Sequence, residues 1–209
     1  MPDIVGLIKT FGYLGIFSIV FAESGLFIGF FLPGDSLLFT AGFLSSQGFL
    51  EIGLLAAVIF VGAVLGDNFG YAFGKRVGPS IFKKEDSFLF HKDNLERARM
   101  FYEKHGGKTI ILARFIPFVR TFAPILGGVG KMEYKKFFLF NVLGGALWTI
   151  TLTFLGYFLG NIIPDADKYV LPFVVGIILI SLIPPIFHIS KRKRYAEKIR
   201  KYLGPRTEK

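Results

Sequence analysis

Residues 109–130 read TIILARFIPFVRTFAPILGGVG, an apolar run whose only charges are Arg114 and Arg120, six positions apart with Pro117 between them. An arginine at membrane depth costs roughly 2.5–3.5 kcal/mol. Such charges persist where they face a polar cavity, an acidic partner or an anionic substrate. Working back along the chain, Glu23 and Asp35 supply the opposite sign, again in apolar sequence around a Pro33-Gly34 break. Two buried arginines and two buried acids point to one ionic site inside a membrane protein.

The rest of the composition agrees. Of 209 residues, 52% are hydrophobic and the mean hydropathy is +0.54, more apolar than an average globular domain. Residues 137–164 and 169–190 contain no Lys, Arg, Asp or Glu, and both exceed the ~20 residues needed to cross a bilayer. No basic segment precedes Ile4 and no small-residue cleavage site follows a short apolar run, so a cleavable signal peptide is not expected. The chain has no cysteine, which removes disulfides and thiolate chemistry.

The net charge of +10 is concentrated in two places. Residues 75–108 carry nine Lys/Arg against five acids, and 191–209 carry nine against Glu197 and Glu208. Nucleic-acid binding is one reading of such runs. Positive-inside topology and attraction to anionic headgroups is the better one, so no nucleic-acid partner is expected.

If both basic segments are cytoplasmic, an even number of crossings separates them. Three apolar stretches lie between, so 109–130 is expected to be a re-entrant hairpin, with Pro117, Pro124 and Gly127-Gly128 as helix breaks. Spans follow at 137–164 and 169–190, then a basic cytoplasmic tail at 191–209. In the first half, 53–74 reads as a span leading into the basic, partly amphipathic segment 75–108. Residues 10–50, broken at Pro33-Gly34, read as a first re-entrant region, although 11–32 is long enough to cross alone and the side of the amino terminus stays open. Non-helical backbone at that depth must be buried in protein or line a cavity.

A short internal repeat fits this plan. Ala22-Glu23 and Pro33 align with Ala113-Arg114 and Pro124 at an offset of 91, and 70–74 resembles 156–160 at an offset of 86. The expected fold is therefore an all-α integral membrane protein, one membrane domain over 1–190, with two opposed re-entrant helical hairpins in an inverted repeat.

Arg114 and Arg120 are the candidate anion-binding residues, since each guanidinium stays charged and offers a planar fork of donors suited to phosphate. Glu23 and Asp35 would neutralise them when substrate is absent and could exchange a proton with it. Asp35, two positions after Pro33, could equally cap the helix that follows. Asp67 and Tyr71, in Gly66-Asp67-Asn68-Phe69-Gly70-Tyr71, are further candidates at the site, and Pro33, Gly34 and Pro117 would shape it. A purely structural set of ion pairs is the competing reading. Trp148 reads as an interfacial anchor and the phenylalanines as lipid-facing bulk. No histidine lies at membrane depth beside Ser24 or Ser36, no metal-ligand cluster is present and no Gly-rich segment is followed by Lys-Ser/Thr. An enzyme, a metal site or a cofactor is therefore not expected.

At these residues the sequence resembles the DedA family, also called the SNARE-associated Golgi-protein or VTT-domain family. The resemblance rests on Glu23, Phe31-Leu32-Pro33-Gly34-Asp35 and Ala41-Gly42. It continues through Gly66-Asp67-x-x-Gly70-Tyr71-x-x-Gly74-Lys75-Arg76, Arg114 to Arg120, and 123–127. Where the family usually has a proline shortly before the Pro-Gly-acid turn, this chain has Phe30-Phe31-Leu32. The resemblance implies a bacterial or archaeal inner-membrane protein that moves lipids such as undecaprenyl phosphate or phospholipid between leaflets, linked to the proton-motive force. Glu23, Asp35, Arg114 and Arg120 would be its functional charges. The leading expectation is a lipid flippase or scramblase whose partners are phosphate-bearing lipids and protons. A proton-coupled antiporter of a small ion or solute is the alternative, and monomer and homodimer both stay open.

Overall fold

The computed structural model describes residues 4–26, 34–81, 100 and 106–163. They form six main helices: α1 (Ile4–Gly25), α2 (Gly34–Ser46), α3 (Ile52–Ile81), α4 (Lys108–Arg114), α5 (Pro117–Val129) and α6 (Tyr134–Ile162). Among the described residues there is no strand. Pro33, residues 82–99 and 101–105 of the basic, partly amphipathic segment, the span 169–190 and the tail 191–209 lie outside the described residues.

Two helices are long and apolar enough to cross a membrane, Ile52–Val77 with 26 residues and Tyr134–Ile162 with 29. At 1.5 Å per residue each reaches about 40 Å, beyond the ~30 Å hydrocarbon core. Along α6, Leu139, Leu143, Leu147 and Ile150 form an exposed apolar stripe at helical spacing, the face expected against lipid rather than water. Helix α3 continues past the expected end at 74 through Lys75 and Arg76 to Ile81. Both residues are good helix formers, and their exposed charged ends need no change of backbone.

Local chemistry explains where helices begin. Glu51 precedes α3, and its carboxylate accepts the backbone N–H of Gly53 at 2.7 Å and that of Leu54. Its own N–H donates to the Tyr13 hydroxyl at 2.8 Å, tying the start of α3 to α1. Between α4 and α5 the chain breaks at Phe115-Ile116. Ile116 is extended (φ −113°, ψ 106°), as a residue before proline prefers, and Pro117 opens α5 where its missing N–H costs nothing.

One expectation needs correcting: Pro124 and Gly127-Gly128 do not break the chain, because α5 runs through them to Val129. Neighbouring helices make such residues tolerable within a membrane bundle. Here the glycine permits close approach: a Cβ on Gly128 would stand 2.1 Å from the Tyr71 carbonyl oxygen of α3.

Helix α2 runs alongside α6 in the same direction, from the Asp35–Trp148 contact at one end to the Gln47 amide donating to the Gly160 carbonyl at the other. Helix α5 lies along α3 in the corresponding way, and α1 packs on the other part of α3 through Gly25 and Gly66. Helices α3 and α6 are antiparallel, Tyr134 meeting Asn68 and Asn141 meeting Val64. Two apolar clusters result. One gathers Val20, Leu38, Ile59 and Trp148, the other Tyr71, Ile110, Ala123 and Phe137. Arg114 follows Ala113 of the second cluster and both arginines face Trp148 of the first, so the charges lie where the clusters meet.

Candidate functional site

Each helix end at this junction contributes a charge. Arg114 is the last residue of α4, Arg120 lies in the first turn of α5, Glu23 in the last turn of α1, and Asp35 in the first turn of α2. Arg114 and Asp35 sit at the ends where the helix dipole favours them. Glu23 and Arg120 sit at the ends where it does not, and they pair with each other. Arg120 also pairs with Asp35, so one guanidinium bridges carboxylates from two helices.

Arg114 takes a different partner from the two acids expected for it. It pairs with Asp67 of α3 and donates to the Asn141 side-chain oxygen of α6 at 2.5 Å. The Asn141 amide in turn donates to the Val64 carbonyl at 3.1 Å, which fixes its orientation. Asp67 thus joins the buried charges directly, whereas Tyr71 does not. The Tyr71 hydroxyl donates to the Met132 carbonyl at 2.5 Å and its ring stacks on Phe137 at 4.4 Å. Gly34 is pressed against Glu23, where an added Cβ would fall 1.5 Å from the carboxylate. Pro117 starts α5 and so sets the direction in which Arg120 is presented.

Trp148 and Asn141 are the residues that sequence reasoning missed. Trp148, only 1% exposed, donates its indole N–H to Asp35 at 2.8 Å. Its ring lies 4.9 Å from the Arg120 guanidinium carbon and 5.9 Å from that of Arg114, within cation–π range of both. The available signal was its place in a charge-free span, too far from either end of 137–164 for an interfacial anchor.

Three carboxylates therefore face two guanidiniums. The side chains of Glu23, Asp67, Arg114 and Arg120 are all under 10% exposed, but that of Asp35 is 39% exposed and opens the cluster to the outside. One Glu23 oxygen, Oε2, is buried without a hydrogen-bond partner among the described residues. A cavity of about 10 Å³, lined by residues including Ser24, Asp67, Arg114, Arg120 and Trp148, lies at the centre. That is room for about one water molecule. Among the described residues no group of three or more His, Cys, Asp or Glu could hold a metal ion.

The described residues form an all-helical bundle with two membrane-length helices and a buried Arg–acid network, an architecture consistent with a helical membrane protein. The VTT domain matches residues 32–158. Protein DedA of Escherichia coli K12 is 41% identical over 203 residues, spanning 96% of this chain and 92% of that protein. Uncharacterized membrane protein Rv0364 of Mycobacterium tuberculosis H37Rv is 42% identical over 202 residues, 91% of this chain and 88% of that protein. The inner membrane protein YqjA of Escherichia coli K12 is 35% identical over 162 residues, 77% and 71% of the two chains. No solved structure matches. The chain belongs to the DedA family.

Proposed function

We propose that the protein moves a phosphate-bearing lipid, such as a polyprenyl phosphate or a phospholipid, between the leaflets of a cell membrane. The observation that carries this reading is the Arg120 guanidinium held between Glu23 and Asp35 at a helix break, beside Arg114. Two adjacent guanidiniums suit a phosphate, and carboxylates that can let go suit a site that must also release it. A cavity of about 10 Å³ is too small for any headgroup, so we read this arrangement as the closed form, its cations paired with the protein's own acids.

Charge counting supports proton coupling. With Glu23, Asp35 and Asp67 all ionised against Arg114 and Arg120, the cluster carries one surplus negative charge, which one bound proton would cancel. The unpartnered Glu23 oxygen and the accessible Asp35 carboxylate are the two places for it. When phosphate takes Arg120, the displaced acids gain a reason to bind protons.

The helix directions support two opposed re-entrant hairpins, α1–α2 and α4–α5, each followed by a crossing helix and related as an inverted repeat. In this reading the basic residues mark the cytoplasmic side, the carboxyl terminus lies there, and no covalent chemistry is performed. Proton-coupled exchange of a small anion would use the same charges without a lipid.

Leaflet exchange of labelled phospholipid and polyprenyl phosphate in liposomes tests the proposal. Wild type should exchange at least one of them. Arg120→Ala and Glu23→Gln should slow it by about 10- to 100-fold, the worth of one charge-assisted hydrogen-bonded contact. Wild type that exchanges neither lipid, with or without a proton gradient, refutes the lipid reading and leaves the anion exchanger.

A further inference from the structure

We propose a second anion site, a surface groove between α3 and α6 that holds the phosphate headgroup of an anionic membrane lipid. The groove has a volume of about 570 Å³ and is lined by Asn68, Tyr71, Ala72, Lys75, Arg76 and Tyr134. That volume falls in the range of sites for ligands of headgroup size. None of the six residues is acidic, and among the described residues neither Lys75 nor Arg76 pairs with a carboxylate. Glu133, the acid next to Tyr134, is already engaged by Lys136 at 3.1 Å.

The walls are fixed independently of any ligand. The Tyr134 hydroxyl donates to the Asn68 side-chain oxygen at 3.0 Å, and the Asn68 amide donates to the Val64 carbonyl at 2.7 Å. Tyr71 is held by Met132 and lies 5.6 Å from the Tyr134 ring. Among the described residues, what remains uncommitted is two exposed cations above a rigid aromatic wall. Tyrosine beside Lys and Arg at the end of a crossing helix is the chemistry of the headgroup layer.

A lipid, rather than free phosphate, is indicated by what adjoins the groove. Val61, Leu65, Asn68, Ala72 and Arg76 follow one face of α3 at spacings of three or four, so the cationic end continues into exposed Leu65 and Val61. On α6, exposed Phe138 lies one turn beyond Tyr134. A headgroup on Lys75 and Arg76 would thus have an apolar track for its acyl chains. The groove is separate from the buried arginines, although Tyr71 is only one turn along α3 from Asp67. It stands whether or not the protein moves lipid.

Native mass spectrometry of the purified full chain with phosphatidylglycerol or phosphatidylcholine tests this. Wild type should retain phosphatidylglycerol in preference to phosphatidylcholine. At about 1 kcal/mol per surface cation, Lys75→Gln with Arg76→Gln should weaken that binding about thirtyfold. The control Lys135→Gln should leave it within about threefold. Equal retention of the two lipids, or a double variant that binds as wild type does, overturns the proposal. An equal loss in Lys135→Gln would reduce the effect to diffuse charge, which also overturns it. Because leaflet exchange is measured separately, failure here is distinguishable from failure of the translocase reading.

Discussion

Asp67 and Arg114 are each other's only charged partner among the described residues, so removing one strands the other. Asp67→Leu or Arg114→Leu alone should lower stability by about 3–5 kcal/mol, the cost of an unpaired buried charge. The double substitution should recover most of that loss, because apolar packing replaces a desolvated pair at little net cost. Thermal unfolding of the four proteins in one detergent measures the cycle, and a double variant as unstable as the sum of the singles would contradict it. Arg120 should behave differently. Its two carboxylates come from different helices, so Glu23→Gln leaves Asp35 in place and the guanidinium is never left bare.

The helices depend on close contacts that admit no side chain. A Cβ on Gly42 would stand 2.0 Å from the Thr153 carbonyl oxygen, and one on Gly128 would stand 2.1 Å from that of Tyr71. Alanine at either position must push α2 from α6, or α5 from α3, and should lower stability by about 1–3 kcal/mol. Gly15→Ala on α1 meets nothing within 4 Å and should be neutral or stabilising by up to ~1 kcal/mol; melting temperatures of the three variants check the contrast. The start of α3 carries a pH dependence. The backbone N–H groups of Leu54 and Gly53 hold the Glu51 carboxyl below its ordinary range. A lowered value means the cap is fully present above the unfolded-state value and is lost as pH falls through the folded one. Amide exchange at Gly53 and Leu54 should therefore gain protection as pH rises out of the acid range, beyond the intrinsic trend, and Glu51→Gln should abolish that gain. Much of this architecture was legible in the chain, because charge-free length marks a crossing helix and Ile116-Pro117 forbids continuing α4. Pairing was not legible. Glu23, Asp35 and Asp67 are equivalent acids in apolar sequence, and only the packing of α4 on α6, with α5 along α3, sends Arg114 to the third of them. Trp148 and Asn141 were missed because a tryptophan or asparagine within a long apolar span looks the same whether it faces lipid or the site.

Across the whole molecule, a centre with room for about one water must open before any headgroup can enter. Ser24 lines that centre at 5% exposure, and with no native cysteine a single introduced thiol reports on it cleanly. Ser24→Cys should be alkylated far more slowly than Ser18→Cys, which lies on the exposed face of the same helix. Adding a transported lipid should narrow the difference. Equal rates without lipid would mean that the ion pairs do not close the bundle. The chain also carries a reporter that needs no substitution. Trp148 is its only tryptophan, so indole emission from this protein originates beneath the two guanidiniums, hydrogen-bonded to the one accessible acid. Any event that draws Arg120 off Asp35 changes the electric field on that single chromophore, and excitation selective for tryptophan follows the opening and refilling of the ion cluster in real time.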